Sequence, residues 1–257
     1  MNRFFIDQSK VDASLPVISG TDANHIKNVL RLKPGDKILL FDGIGSEYEA
    51  RITDLAPKRV EVSIIRSFLS TTESPVQIIV AQAFLKDRKM DILIRQLSEL
   101  GITKWVPFIS ERSVPRPDKK RLAARAERWK KIAREAIKQC RRGRVMETGS
   151  AVSFEDALNM GRACDLKILF WEKETEPVSF NFLQPDDMQY DKIFAVLGPE
   201  GGFTSTEIEI AKGCGFVTAT LGPRILRAET ATIAACTLLQ FFFGDMKKSL
   251  DNGLKIK

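Results

Sequence analysis

The chain has 257 residues, 44% of them hydrophobic, and a formal net charge of +7, enough apolar content to bury at least one full core and to form a globular protein of one or two domains. No stretch approaches the roughly 18 apolar residues of a membrane span, and the N-terminal "MNRFFIDQSK" lacks the apolar core and cleavage site of a signal peptide, so a soluble, cytoplasmic protein is expected. The cysteines Cys140, Cys164, Cys214 and Cys236 lie far apart with no Cys-x-x-Cys pair and a single histidine in the chain, which argues against both a metal site and a disulfide scaffold.

In chain order, "TDANHIKNVLRLKPGD" begins with an acidic, cap-like start, sets Ile26, Val29 and Leu30 on one helical face and stops at Pro-Gly. "DKILLFD", a turn with Gly43 and Gly45, "EYEARITD" and "RVEVSII" then alternate with period two, as half-buried antiparallel strands do. They are too few for a large core, and a small barrel over residues 1–70 is the natural solution. "STTESP" is the best linker candidate.

From residue 75 to 246 strands alternate with helices. "VQIIVAQA" reads as a buried strand; Met90, Leu93, Ile94 and Leu97 line a helix that stops at Gly101; "WVPFI" is the next strand. From Lys119 to Cys140, Leu122, Ala126, Trp129, Ala133, Ala136 and Ile137 recur at helical spacing with cations on the other faces. "LKILFW", "KIFAVL" and "VTATL" follow as strands, with a helix between the last two started by Thr204 and Glu207 at capping-box spacing and ending near Gly213. A last helix, about Glu229 to Phe243, is apolar nearly all round and should be buried in the domain or against a second subunit. This alternation implies an α/β domain with a mainly parallel sheet.

The charge is uneven. From Arg112 to Glu147 fourteen Lys and Arg stand against four acids, an excess of +10 that exceeds the +7 of the whole chain. Such a run is either a solvated helix face or a polyanion-binding surface.

Two stretches carry the chemistry: "LGPEGGF" at 197–203 and "LGPRILRAETA" at 221–231, each after a short apolar run. Parallel sheets bind ligands outside the carboxyl ends of their strands, so both turns are expected at adjacent strand ends sharing one crevice, with glycines letting the backbone approach a ligand. No G-x-x-x-x-G-K-[ST] or strand-borne G-x-G-x-x-G is present, and Glu200 would repel a phosphate, so a nucleotide-hydrolase cradle is not expected.

These two motifs, with Glu207, "NHIKNVLR", "LFDG", "QLSELGI", "SERS" and "EAIKQCRRGRV" in order, resemble the RsmE family over nearly the whole chain. The resemblance implies an α/β fold with a SPOUT-type parallel sheet and a trefoil knot, preceded by a small PUA-like β-barrel for RNA. It implies an enzyme that uses S-adenosylmethionine to methylate N3 of a uridine in 16S ribosomal RNA of the small ribosomal subunit, acting as a homodimer without metal or membrane. Where the family usually reads Gln, a small residue, Gly, Arg, this chain has Gln139, Cys140, Arg141, Arg142, and Met146 stands where proline is common.

Motif and chemistry together assign the cofactor to Leu197, Gly198, Pro199, Glu200, Gly201, Gly202, Leu221, Gly222, Ile225, Leu226, Arg227, Glu229, Thr230 and Ala231. Arg227 is a candidate donor to the charge developing on a uracil carbonyl oxygen, or else a partner of Glu229 or Glu200. Glu200 is a candidate proton acceptor or a cap of the helix after it. Arg3, Arg31, Lys86, Arg88, Arg112 and Arg142 are candidate RNA phosphate contacts, and His25 is a capping or RNA-facing residue rather than a base. Two other readings stay open: a SPOUT methyltransferase acting on a different RNA position, and an RNA-binding assembly factor that keeps the fold without catalysis.

Overall fold

The computed structural model describes residues 1–11, 16–86, 88–174 and 190–247. The chain divides into two units: Met1–Glu73 with Ile137–Val145, and Ser74–Ala136 with Met146–Lys257. The first unit therefore recruits a segment from the middle of the chain.

Its elements are β1 (Arg3–Phe5), α1 (Gln8–Val11), β2 (Val17–Ser19), α2 (Thr21–Asn24) running into a π-helical turn at His25–Val29, β3 (Lys37–Phe41), β4 (Ser46–Ala56) and β5 (Arg59–Leu69). They form one sheet in the order β1-β3-β4-β5-β2. β3, β4 and β5 pair antiparallel, as the period of two requires, whereas β1 joins β3 in parallel. Register shifts at Glu49/Ala50 and Ile52/Asp54 interrupt the long β4–β5 ladder; such irregularities bend strands, and the sheet curls into a half-barrel around Ile18, Ile26, Ile38, Leu40, Ile52, Val60 and Val62. Each of these aliphatic side chains contributes about 1.5–3 kcal/mol by leaving water. The helix before β3 starts differently from the expected cap: Gly20, at φ 69°, precedes it and no side chain caps it.

Within "STTESP", Ser70 and Glu73 are hydrogen-bonded to the first unit. Ser70 N–H donates to Gly45 O at 2.9 Å. Glu73 accepts from the Gly143 and Arg144 N–H groups, both at 3.0 Å, and from Arg142 Nη2 at 2.8 Å. Arg3, beneath them, donates to Ile137 O, Arg142 O and Glu47, and lies over the Phe41 ring at 3.9 Å. Burial lowers the Arg3 guanidinium against the opposing pull of Glu47.

The second unit contains β6 (Gln77–Ala83), α3 (Lys89–Glu99), β7 (Lys104–Ile109), α4 (Lys119–Cys140, its last four residues grouping with the first unit), β8 (Glu147–Thr148), β9 (Val152–Ser153), α5 (Phe154–Met160), β10 (Leu166–Phe170), β11 (Lys192–Leu197), α6 (Ser205–Gly213), β12 (Val217–Ala219) and α7 (Ala228–Phe242). All pairings in its sheet are parallel, in the order β12-β10-β11-β6-β7-β8 with β9 beside β7. The expected capping box is present: Thr204 accepts from Glu207 N–H and Glu207 accepts from Thr204 N–H. On α4, Trp129, Ala133 and Ala136 are buried, with Trp129 against Trp105 and Phe84, while the cations stay outside. Helix α7 buries only Thr232, Ala235, Cys236, Leu239 and Gln240.

Glu73 is the acceptor that closes the first unit, and its partner Arg142 has a side chain only 5% exposed. Glu73→Ala removes the carboxylate that a buried guanidinium and two main-chain donors share, so a loss of about 2–4 kcal/mol is expected in urea unfolding of the first unit. A loss near zero would show that solvent replaces Glu73.

Candidate active site

β10, β11 and β12 end level with one another. Phe170 pairs in register with Leu197 on one side and Ala219 on the other. The loops that leave these ends enclose a cavity of about 540 Å3. The two motif turns do share this crevice, but they are not on adjacent strands: β10 lies between β11 and β12. Its own exit, Trp171 and Glu172 after Phe170, forms a third wall.

Of the residues read from the motifs, Leu197, Gly198, Pro199, Glu200, Gly201, Gly202, Leu221, Gly222, Ile225, Leu226, Arg227 and Ala231 line the cavity; Glu229 and Thr230 do not. Motif reading missed Lys89, Phe170, Trp171, Glu172, Phe203, Thr220, Arg224 and Ala228. The signal for Phe170 to Glu172 was present in "LKILFW", a strand of the same kind as the two that carry the motifs.

The first turn requires its glycines. Gly202 holds φ 65°, and a Cβ there would fall 2.5 Å from Glu172 Oε1. A Cβ on Gly198 would meet the Phe203 ring at 3.0 Å, so that core ring would have to shift to make room. Arg112 supports the turn from outside by donating to Gly201 O at 3.1 Å. Glu207, 5% exposed, accepts from Ser110 Oγ at 2.8 Å and Glu111 N–H at 3.0 Å, tying the "SERS" loop to the start of α6.

Two side chains join the walls. Gln82, fully buried at the end of β6, donates to Gly198 O at 3.2 Å and accepts from Thr232 Oγ1 of α7 at 2.6 Å. Lys89 Nζ lies 3.1 Å from Glu200 Oε1 and 3.1 Å from Glu229 Oε2. The second contact is an ion pair without hydrogen-bond alignment, since Glu229 Oε2 has no hydrogen-bond partner among the described residues. Glu200 Oε1 also accepts from Lys86 N–H at 3.0 Å. Glu200 thus faces β6's exit loop and α3, and α6 is capped by Thr204 rather than by Glu200.

The charges follow from these contacts. Glu229 first, and Glu200 behind it, raise the Lys89 ammonium against the effect of burial. Burial alone would raise the Glu200 carboxyl, but the Lys86 and Glu200 N–H groups and Lys89 outweigh it and hold it below the ordinary value. Glu229 is lowered in the same way, by its own N–H and by Lys89 against burial. Arg227, the residue before α7, is exposed and makes no hydrogen bond or ion-pair contact among the described residues, although its charge helps to lower Glu229; Lys89 occupies the place beside Glu200 and Glu229.

The candidate phosphate contacts separate by burial. Arg31, Lys86, Arg88 and Arg112 are exposed. Arg3 is held by Glu47 with 7% of its side chain exposed, and Arg142 by Glu73. His25 is exposed on the π-helical turn, edge-on to Phe4.

Fold and cavity define the class, a two-domain RNA methyltransferase. Residues 72–240 match the RNA methyltransferase domain family and residues 18–65 the RNA methyltransferase PUA domain family. Ribosomal RNA small subunit methyltransferase E of Bacillus subtilis is 31% identical over 247 residues, 94% of this chain and 96% of that one. The crystal structure of ribosomal RNA small subunit methyltransferase E from Neisseria gonorrhoeae bound to S-adenosyl methionine matches with a TM-score of 0.80 at 33% identity, covering 95% of this chain and 99% of that one. A putative methyltransferase from Legionella pneumophila, in complex with the bound cofactor, matches with a TM-score of 0.82 at 30% identity over 95% and 98% of the two chains. The chain belongs to the ribosomal RNA small subunit methyltransferase E family, and its SPOUT-type parallel sheet and PUA-like half-barrel are that family's fold.

The depressed carboxylates make a pH prediction. A carboxyl lowered on folding contributes stability that is fully present above its unfolded value and is lost as pH falls through the folded value. Lys89→Met removes the charge that lowers Glu200 and Glu229, so their share of stability shrinks and its loss on acidification begins at higher pH. Urea unfolding from about pH 3 to about pH 7 checks this, and superimposable acid limbs for the two proteins would contradict it.

Proposed function

We propose that the chain transfers the methyl group of S-adenosylmethionine to N3 of a uridine in 16S ribosomal RNA of the small ribosomal subunit. The observation that carries the reading is the cavity walled by three level strand exits, with both family motifs in its lining and the cofactor bound in structures of its relatives. The cavity's size is that of a cofactor site, and its wall is mainly apolar side chains and glycine backbone with few polar groups, which suits an adenosyl group read by main-chain N–H and C=O. Gly198 to Gly202 and Leu221 to Leu226 would hold it, with Trp171 and Glu172 as the third wall; Glu229 and Thr230 act from the first turn of α7, Glu229 through Lys89.

Bound there, S-adenosylmethionine supplies a methyl carbon on a sulfonium that needs no further activation. The protein's task is to bring uracil N3 in line and to let the N3 proton leave. Arg227, at the cavity wall and without a hydrogen bond among the described residues, donates to the uracil carbonyl oxygen on which charge develops as N3 loses its proton. Glu200, already accepting from two donors and held below its ordinary value, is a weak base and acts as the clasp between the walls, with solvent taking the proton. Exposed Arg31, Lys86, Arg88 and Arg112 bind phosphates, while Arg3 and Arg142 act by holding the first unit together.

A homodimer fits the half-buried Phe241 and Phe242 of α7 and Ile92 of α3, 52% exposed, on helices that pack together. The return of α7 from β12 to α3, past β10 and β11, supports a trefoil knot. The function places the protein in the cytoplasm.

Labelled S-adenosylmethionine, small ribosomal subunits from a strain lacking the endogenous enzyme, and mass spectrometry of the digested RNA test the reading. 3-Methyluridine is the expected product, and Arg227→Ala lowers its rate of formation by about a hundredfold or more. Another methylated nucleoside would move the target, and absence of cofactor binding would overturn the enzyme.

A further inference from the structure

Helix α4 ends at Cys140, and the next residue, Arg141, holds φ 65°. This left-handed conformation ends many helices, and glycine adopts it without the clash that a Cβ meets. Among the described residues only Arg31 and Arg141 hold positive φ without being glycine. The backbone is fixed there: Thr72 Oγ1 donates to Arg141 O at 2.9 Å, and Glu73 accepts from the Gly143 and Arg144 N–H groups. The Arg141 side chain returns nothing to the fold. It is exposed, with no hydrogen bond or ion pair among the described residues, whereas its neighbour Arg142 is buried on Glu73. An outlier kept without a structural benefit points to a ligand.

The surroundings indicate which one. Arg141 lines a cavity of about 480 Å3 within the first unit, with Arg3, Lys138, Thr72 and Phe68 in the same wall. Glu47 is the one acid of that lining, and it is engaged by Arg3; Lys138 is engaged by Asp22. Phe68, at the end of β5, is 38% exposed, and the Arg66 guanidinium lies over its ring at 5.5 Å from the centroid. An unpaired cation and a partly exposed aromatic ring lining one cavity suit a phosphate and an unstacked base on the same strand.

We propose that this cavity seats one unpaired nucleotide of the RNA substrate, its phosphate on Arg141 and its base against Phe68, a site separate from the cofactor cavity. The inference rests on the RNA substrate proposed above and adds the contact.

The test is equilibrium binding of small-subunit ribosomal RNA to the full chain at several salt concentrations, with thermal unfolding alongside. Arg141→Gly removes the charge and relaxes the backbone. It is expected to unfold at the same temperature or higher, bind about threefold to tenfold more weakly, and lower the slope of log affinity against log salt by about one. Arg141→Gln gives the same weakening, and Arg141→Lys retains most of the affinity. Phe68→Leu weakens binding with the salt slope unchanged, because stacking releases no counterions. An Arg141→Gly protein that binds with unchanged affinity and slope overturns the proposal, as does one that loses stability together with affinity. If the unaltered chain does not bind this RNA at all, the proposed function fails and takes the contact with it.

Discussion

The common level at which β10, β11 and β12 end is the constraint on which the site depends. With Phe170 in register with both Leu197 and Ala219, three loops leave the sheet at one height and have one crevice to enclose. A parallel sheet makes this possible because successive strands all point their carboxyl ends the same way. A slip of one residue in β10 would turn Phe170, Trp171 and Glu172 to the opposite faces and open the wall between the motifs.

The loops themselves are glycine-rich and would be poorly specified without the polar groups that tie them. Gln82 reaches from β6 to Gly198 on one side and Thr232 on the other, with no exposure to water. Lys89 spans Glu200 and Glu229 at the rim. Buried polar groups are costly unless paired, so each of these side chains holds its neighbours in one arrangement. This explains how a flexible motif becomes a shaped cavity. It also gives the close contacts with Glu200 and Glu229 to Lys89, so Arg227 acts on Glu229 by its charge alone and its donors stay available to the ligand.

Elements governed by local pattern could be read directly from the sequence. The helix from Lys119 to Cys140, the capping box at Thr204 and Glu207, and the strands ending at Phe170, Leu197 and Ala219 stand where periodicity and end signals put them. What depends on pairing between distant segments could not: the insertion of β10 between the two motif strands, the parallel edge strand β1, and the recruitment of Ile137–Val145 to the first unit. The same limit divided the arginines. Arg141 and Arg142 are equivalent by composition, and only burial on Glu73 distinguishes them. The resemblance to a known family supplied the cofactor motifs, but the Lys89 and Gln82 contacts arise from strands and helices more than a hundred residues away.

The central claim is that three strand exits, not two motifs, form the cofactor site. A crystal structure of the protein with S-adenosylhomocysteine tests it most directly. The account predicts the ligand in the cavity in contact with Trp171 or Glu172 as well as with Gly198 to Gly202 and Leu221 to Arg227; a ligand that touches the motif turns alone, or one bound elsewhere, would contradict it.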